Sequence, residues 1–120
     1  MPLIIKNEIG SIFIEDTVIQ EIVGLSVIES YGVVDKASKD SFEGIFSFFG
    51  FDPSYKGIKV TINDNDVDVD IYLILEYGVK ISTVCQNIIE RVKYNLKYYT
   101  GINIGDINIF VQGIRTESDL

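Results

Sequence analysis

Histidine is missing from the sequence, and cysteine occurs once, at Cys85. Without histidine the chain has no Ser/His/Asp or Cys/His nucleophile, and one thiol supplies too few ligands for an ordinary zinc site. A single cysteine also forms no internal disulfide, which agrees with a reducing compartment. Carboxylates, tyrosines and lysines are the side chains left for chemistry. We predict a protein that is not an enzyme and uses no cofactor.

Positive charge is also scarce, since 10 basic residues stand against 18 acidic ones and the net charge is -8. Such a chain is repelled at long range by nucleic-acid phosphates and by an anionic bilayer. Long apolar runs are lacking as well: the opening MPLIIKNEIG has too few apolar residues for a signal peptide, and no stretch has the length of a membrane span. We therefore expect a cytoplasmic protein that neither binds nucleic acid nor inserts directly into a membrane.

Apolar and aromatic residues, by contrast, are abundant. With 47% hydrophobic and 12% aromatic residues in 120 positions, the chain has enough apolar area for one folded core. We expect a single domain over residues 1–120, with its core at 10–114, an apolar insert at 42–52 and a flexible polar tail at 116–120.

The hydrophobic period switches between two residues and about 3.6 residues along the chain. It predicts strands near residues 12–14, 58–62, 67–75 and 107–111, and helices over 18–29 and 81–99. The turn sequence NDND joins the second and third strands into a hairpin. The order β-α-β-β-α-β predicts an α+β fold, a two-layer sandwich in which two helices cover one face of a four-stranded mixed or antiparallel sheet.

The segment EYGVKI joins the long strand to the second helix, with Tyr77 and Gly78 at its corner. Glycine suits a corner that requires a positive φ, so we interpret this pair as a structural turn. The alternative is an anion held by the free amides at the helix start, residues 82–85. One glycine is far from a G-x-G-x-x-G or P-loop motif, which favours the structural interpretation.

The stretch DNDVDVD at 64–70 resembles a calcium-binding loop in composition only. Counted from its first aspartate, the sixth position is Val69 where glycine is needed, and the twelfth is Leu75 where glutamate is needed. Alternation with a period of two instead predicts an acidic stripe on one strand face, formed by Asp66, Asp68 and Asp70. A weak divalent-cation site on this stripe, or a carboxylate-dependent reaction that also uses Glu76, is the alternative function.

The second predicted helix has an apolar stripe that includes Cys85, which we interpret as a buried small hydrophobe rather than a reactive thiol. Its opposite side interleaves basic residues with tyrosines: Arg91, Lys93, Tyr94, Lys97 and Tyr98. Such a pattern is able to stack on and neutralise single-stranded nucleic acid. Lysine stems lying over tyrosine faces are the commoner explanation, and the net charge also disfavours nucleic acid.

Two apolar features predict contact surfaces. The first is the insert GIFSFFGF, whose aromatic residues are Phe46, Phe48, Phe49 and Phe51. The second is the sheet face away from the helices, where the predicted strand order brings together Phe13, Tyr72, Ile74 and Phe110. An exposed apolar patch usually marks an interface. Either the insert covers this face within one molecule, or the face pairs with that of a second copy.

The order and spacing of several short motifs resemble those of the alkaline shock protein 23 family, small proteins mainly of Gram-positive-type bacteria. The motifs are GSIFI, the VI that opens the first helix, ESYGV at 29–33, the corner YGVKI at 77–81, and TG followed by INI at 100–104. The similarity runs from about residue 10 to residue 114. The sequence departs from the family pattern in the bulky Ile22 and Val23, in the phenylalanine insert and in lacking long charged tails.

This resemblance implies an α+β domain with no established catalytic residues. It also implies a cytoplasmic protein that self-associates, or that a separate anchoring protein holds near the membrane, with a link to cell-envelope stress. We therefore predict a non-enzymatic protein-interaction or self-assembling protein associated with cell-envelope stress or homeostasis. Its expected partners are further copies of itself and a membrane-anchoring protein.

Overall fold

The structure is a computed structural model that describes residues 3–30, 57–63 and 66–115. Its elements in chain order are β1 (Leu3–Lys6), β2 (Ser11–Ile14), α1 (Asp16–Ser30), β3 (Ile58–Asn63), β4 (Asp66–Glu76), α2 (Ile81–Thr100) and β5 (Asn103–Arg115). The fold is therefore mixed α+β, as predicted. The insert at 42–52 and the tail at 116–120 lie outside the described residues.

The described strands form two sheets and not the single four-stranded sheet predicted from the sequence. β3, β4 and β5 form one sheet in that order, with β3 antiparallel to β4 and β4 parallel to β5. The parallel pair follows from the crossover through α2, which returns the chain to the end of the sheet where β4 begins. β2 does not join this sheet, because it pairs with β1 in a separate antiparallel hairpin, with Leu3 opposite Ile14.

One core lies between the three-stranded sheet and the two helices. β4 alternates strictly, and its inward side chains are all buried: Val67, Val69, Ile71, Leu73 and Leu75. The helices contribute the apolar residues that recur at helical spacing: Ile19, Val23 and Val27 from α1, and Ile88, Val92 and Leu96 from α2. Burying each side chain of this size stabilises the fold by about 1.5–3 kcal/mol. The helices therefore pack on this face of the sheet, and the opposite face is left without a helix.

Glycine is required at two of the connections. Gly78 has φ +102° in the corner between β4 and α2, and Gly101 has φ +71° where α2 ends. The Gly101 N–H donates to the carbonyl of Lys97, a common left-handed end to a helix. The corner at Tyr77 and Gly78 thus has the backbone conformation of a structural turn, and the Tyr77 side chain points into solvent with 78% of its area exposed.

Candidate functional site

The outer face of the three-stranded sheet, opposite the helices, carries an apolar patch. Tyr72 lies directly beside Phe110 in the register of β4 and β5, and their rings are stacked with centroids 4.8 Å apart and planes 14° from parallel. Ile74 follows two residues along β4 on the same face, and its neighbour on β5 is Gly113, which has no side chain to cover it. We define Tyr72, Ile74 and Phe110 as the outer patch.

The other half of the outer face is polar and hydrogen-bonded across the strands. The Asp68 carboxylate accepts from the Asp106 N–H at 2.7 Å and from the Asn63 amide at 3.2 Å. Asp70 accepts from the Asn108 amide at 3.0 Å and lies opposite Lys59. The acidic stripe of the sequence is therefore matched by donors on both neighbouring strands.

These hydrogen bonds engage Asp68 and Asp70 of the acidic stripe. Within residues 3–30, 57–63 and 66–115, no three histidine, cysteine, aspartate or glutamate side chains are grouped so that they could hold a metal ion. Gly105 belongs to the same arrangement. It sits where β5 has an extra residue relative to β4, and a Cβ there would collide with the Asp68 carboxylate.

Phe13 is not part of the outer patch, contrary to the prediction. It lies on β2, which belongs to the separate hairpin, and 63% of its area is exposed. The reason is that β1, a strand of only four residues, takes β2 as its partner. The other predicted contact residues, Phe46, Phe48, Phe49 and Phe51, lie outside the described residues.

Phe13 instead lines a groove between β2, α1 and α2, with a volume of about 540 Å³. Its apolar wall consists of Phe13, Ile14, Val18, Ile22, Leu25 and Tyr99, and we define these six residues as the helix groove. Tyr99 is 68% exposed, and Val18 and Leu25 keep more than a third of their area in solvent. Sequence periodicity predicted a helix over 18–29 but did not distinguish which of its apolar residues stay exposed, so this surface was not predicted.

A buried polar network closes one end of the helix groove. The Asn95 amide, 7% exposed, donates to Ser26 Oγ at 2.8 Å and to Glu29 Oε2 at 3.3 Å. The Ser26 hydroxyl in turn donates to the carbonyl of Ile22 at 2.7 Å. Arg91 Nε lies 3.8 Å from the same Glu29 oxygen. This network ties α1 to α2 through specific contacts in addition to apolar packing.

The exposed side of α2 presents tyrosines that contact one another. Tyr94 and Tyr98 are stacked with centroids 6.1 Å apart, and Tyr98 meets Tyr99 edge to face at 5.0 Å. Lys93 and Lys97 lie beside them around a shallow depression of about 510 Å³. On the other side of the helix, partial burial raises the pKa of the Cys85 thiol, which is opposite to the lowered pKa of a reactive thiol.

No helix in the described part of the chain is long and apolar enough to cross a membrane. The comparisons with known proteins then identify the relatives of this chain. It is 40% identical over 116 residues to the uncharacterized protein Spy1614 of Streptococcus pyogenes serotype M6, with 96% of each chain covered. It is 31% identical over 116 residues to the uncharacterized protein YloU of Bacillus subtilis, covering 96% of this chain and 97% of the relative.

The family comparison covers nearly the whole chain. Residues 4–116 match the alkaline shock protein 23 family, which is described as having a cell envelope-related function. No solved structure matches the chain at a significant level. The resemblance that the sequence motifs indicate is thereby confirmed, and the chain belongs to the alkaline shock protein 23 family.

Proposed function

We propose that this protein acts by binding proteins, including a second copy of itself, and that this binding serves a role in cell-envelope stress or homeostasis. The observation that carries the proposal is the outer patch. Tyr72, Ile74 and Phe110 share the sheet face opposite the two described helices; Phe110 keeps 44% of its area exposed, and Tyr72 and Ile74 are half-buried. Contiguous apolar surface of this kind usually marks an interface.

A two-fold contact suits the outer patch better than a contact with an unrelated surface. In such a contact both copies contribute the same residues, so the apolar side chains of both patches are buried together. The patch is bordered by charges of both signs, with Lys59 and Asp70 next to Tyr72 and Glu76 beyond Ile74. Such a border allows opposite charges of the two copies to pair around an apolar centre from which water is excluded.

The family description supports a place for this contact at the cell envelope. We propose that self-association presents several copies at once to a membrane-anchoring protein, so that weak individual contacts add up through multivalency. In this scheme the protein works in the cytoplasm, and the anchoring partner determines where it is held.

The test is the solution mass of the wild-type protein and of Ile74→Glu. The chain mass is 13.5 kDa, so sedimentation velocity is expected to show wild type as a dimer or larger particle and the variant near 13.5 kDa. A glutamate at the centre of the contact would be buried without a partner, which is strongly unfavourable. Ile9→Glu is the matched control, because Ile9 is 97% exposed in the turn between β1 and β2 and should not change the mass.

Two results would contradict the proposal. One is a wild-type protein that sediments as a monomer at every concentration reached. The other is an Ile74→Glu variant that keeps the wild-type mass while its circular dichroism spectrum shows that it is folded. A separate finding, that the monomeric protein without a partner turns over a substrate, would indicate a catalytic role instead.

A further inference from the structure

The helix groove has a strongly one-sided charge environment. α1 carries Asp16, Glu21 and Glu29 and no lysine or arginine, and Glu15 precedes its first residue. Glu21 and Glu29 are exposed, and each lies one helical turn from Leu25, so they stand beside the apolar wall. Arg91 is the basic side chain found at the polar end, and it already faces Glu29 at 3.8 Å.

The apolar wall has the spacing that a bound helix requires. Val18, Ile22 and Leu25 follow one another at four and three residues along α1, so they form a strip about 10 Å long. Phe13 and Tyr99 rise on the other side, from β2 and α2. An apolar trough of this kind receives the apolar face of an amphipathic helix through anchors at i, i+3 or i+4, and i+7.

We propose that the helix groove binds a basic amphipathic helix of a protein partner. The apolar face of that helix lies on Val18, Ile22 and Leu25. Its lysines and arginines face Glu29, which lines the groove, and Glu21, which lies one helical turn before Leu25. Complementary charge sets the choice of partner and the association rate, while the apolar anchors set the dissociation rate. The helix groove and the outer patch share no residue, so this proposal is tested independently of self-association.

The same charges disfavour the other occupants of an exposed apolar groove. If two copies packed α1 against α1, Glu21 and Glu29 of both would approach one another, and like charges at an interface are costly. The anionic surface of a membrane is repelled for the same reason. A basic helix is the occupant for which the apolar wall and the acidic border both contribute favourably.

The probe is a synthetic amphipathic peptide of about 18 residues, long enough for several helical turns. One version places leucines on one face and lysines on the other, and a second version has the same leucines with glutamates in place of the lysines. Fluorescence anisotropy with the full-length protein measures both affinities. We expect the lysine peptide to bind and the glutamate peptide to show no binding, with the affinity of the former falling as salt rises.

Two substitutions locate the bound peptide. Leu25→Asp is expected to lower the affinity for the lysine peptide by more than about tenfold, because it places a charge among the central apolar contacts. Glu21→Lys is expected to weaken it by about threefold, the effect of one border charge. The matched control is Glu8→Lys, which makes the same charge change in the exposed turn between β1 and β2, outside the groove lining, and should leave the affinity within error of wild type. Circular dichroism checks that each variant is folded.

Any of the following three outcomes would overturn the proposal. Equal weakening by Glu8→Lys and Glu21→Lys means that the peptide binds the overall negative charge and not the groove. Dissociation of a wild-type oligomer by Leu25→Asp assigns the groove to a second copy. Binding of the protein to phosphatidylcholine and phosphatidylglycerol vesicles that Leu25→Asp abolishes assigns it to a lipid surface.

Discussion

Replacing Asn95 with alanine tests the buried contact between the two helices. In the wild-type protein the Asn95 amide donates to Ser26 Oγ at 2.8 Å and to Glu29 Oε2 at 3.3 Å, and only 7% of the residue is exposed. The first bond is fully buried and is worth about 1 kcal/mol. The second reaches a carboxylate whose side chain is 39% exposed, so solvent screening reduces it to about 0.5 kcal/mol.

The loss of side-chain packing adds about 0.5 kcal/mol, which brings the total to roughly 2 kcal/mol in the free energy of unfolding. Alanine has a helix propensity about 0.6 kcal/mol more favourable than that of asparagine, and this gain in stability offsets part of the loss from the missing contacts. Asn87→Ala is the matched control, because Asn87 is exposed on the same helix and receives the same propensity gain. The difference between the two variants isolates the network.

The assay is chemical denaturation of both variants, followed by circular dichroism. We expect Asn95→Ala to be less stable than Asn87→Ala by about 2 kcal/mol, or by roughly 8 °C in Tm for a domain of this size. Equal stabilities would refute the reasoning, since they would mean that Asn95 contributes nothing beyond its helix propensity. A companion variant, Asn95→Asp, should be still less stable near neutral pH, where a buried carboxylate faces Glu29, and should recover as the pH falls towards about 4.

Three further predictions concern backbone positions and the thiol. Gly101→Ala should lower stability by about 1 kcal/mol in urea denaturation, because φ is +71° there; an unchanged midpoint would contradict the assigned helix end. Gly105→Ala should cost about 1–2 kcal/mol, since the new methyl group displaces the Asp68 carboxylate from the Asp106 N–H, whereas the control Gly113→Ala, where the nearest atom is 3.9 Å away, should be close to neutral. Burial raises the pKa of the Cys85 thiol, so the pH at which it reacts half-maximally with a disulfide reagent should be higher in the folded protein than in urea. The neutral thiol is favoured on folding, so this residue makes the protein less stable as the pH rises above about 8.5, and a stability that increases there would contradict the assignment.

The helices and the strands of the larger sheet could be predicted from the sequence because their signals are local. The alternation from Val67 to Leu75 fixes which side chains of β4 face the core, and it therefore also places Tyr72 and Ile74 on the other face. Their neighbour Phe110 follows from the parallel register of β5. This part of the candidate site depends only on period and strand adjacency.

The pairing of β2 could not be predicted in the same way. Its partner β1 has four residues, Leu3–Lys6, without a clear alternation, and sequence alone does not say which strand β2 will adopt. Phe13 was therefore expected on the wrong surface. The helix groove was missed for a related reason: α1 has more apolar residues than one helix face can bury, and only tertiary packing decides that Val18 and Leu25 remain exposed.

The most direct test of self-association through the outer patch is an isotope-filtered NMR experiment on a mixture of labelled and unlabelled copies. It detects only contacts between different molecules. The account predicts intermolecular NOEs from the rings of Tyr72 and Phe110 and from the methyl groups of Ile74. Intermolecular NOEs that arise only from other surfaces, or a protein that remains monomeric and gives none, would contradict it.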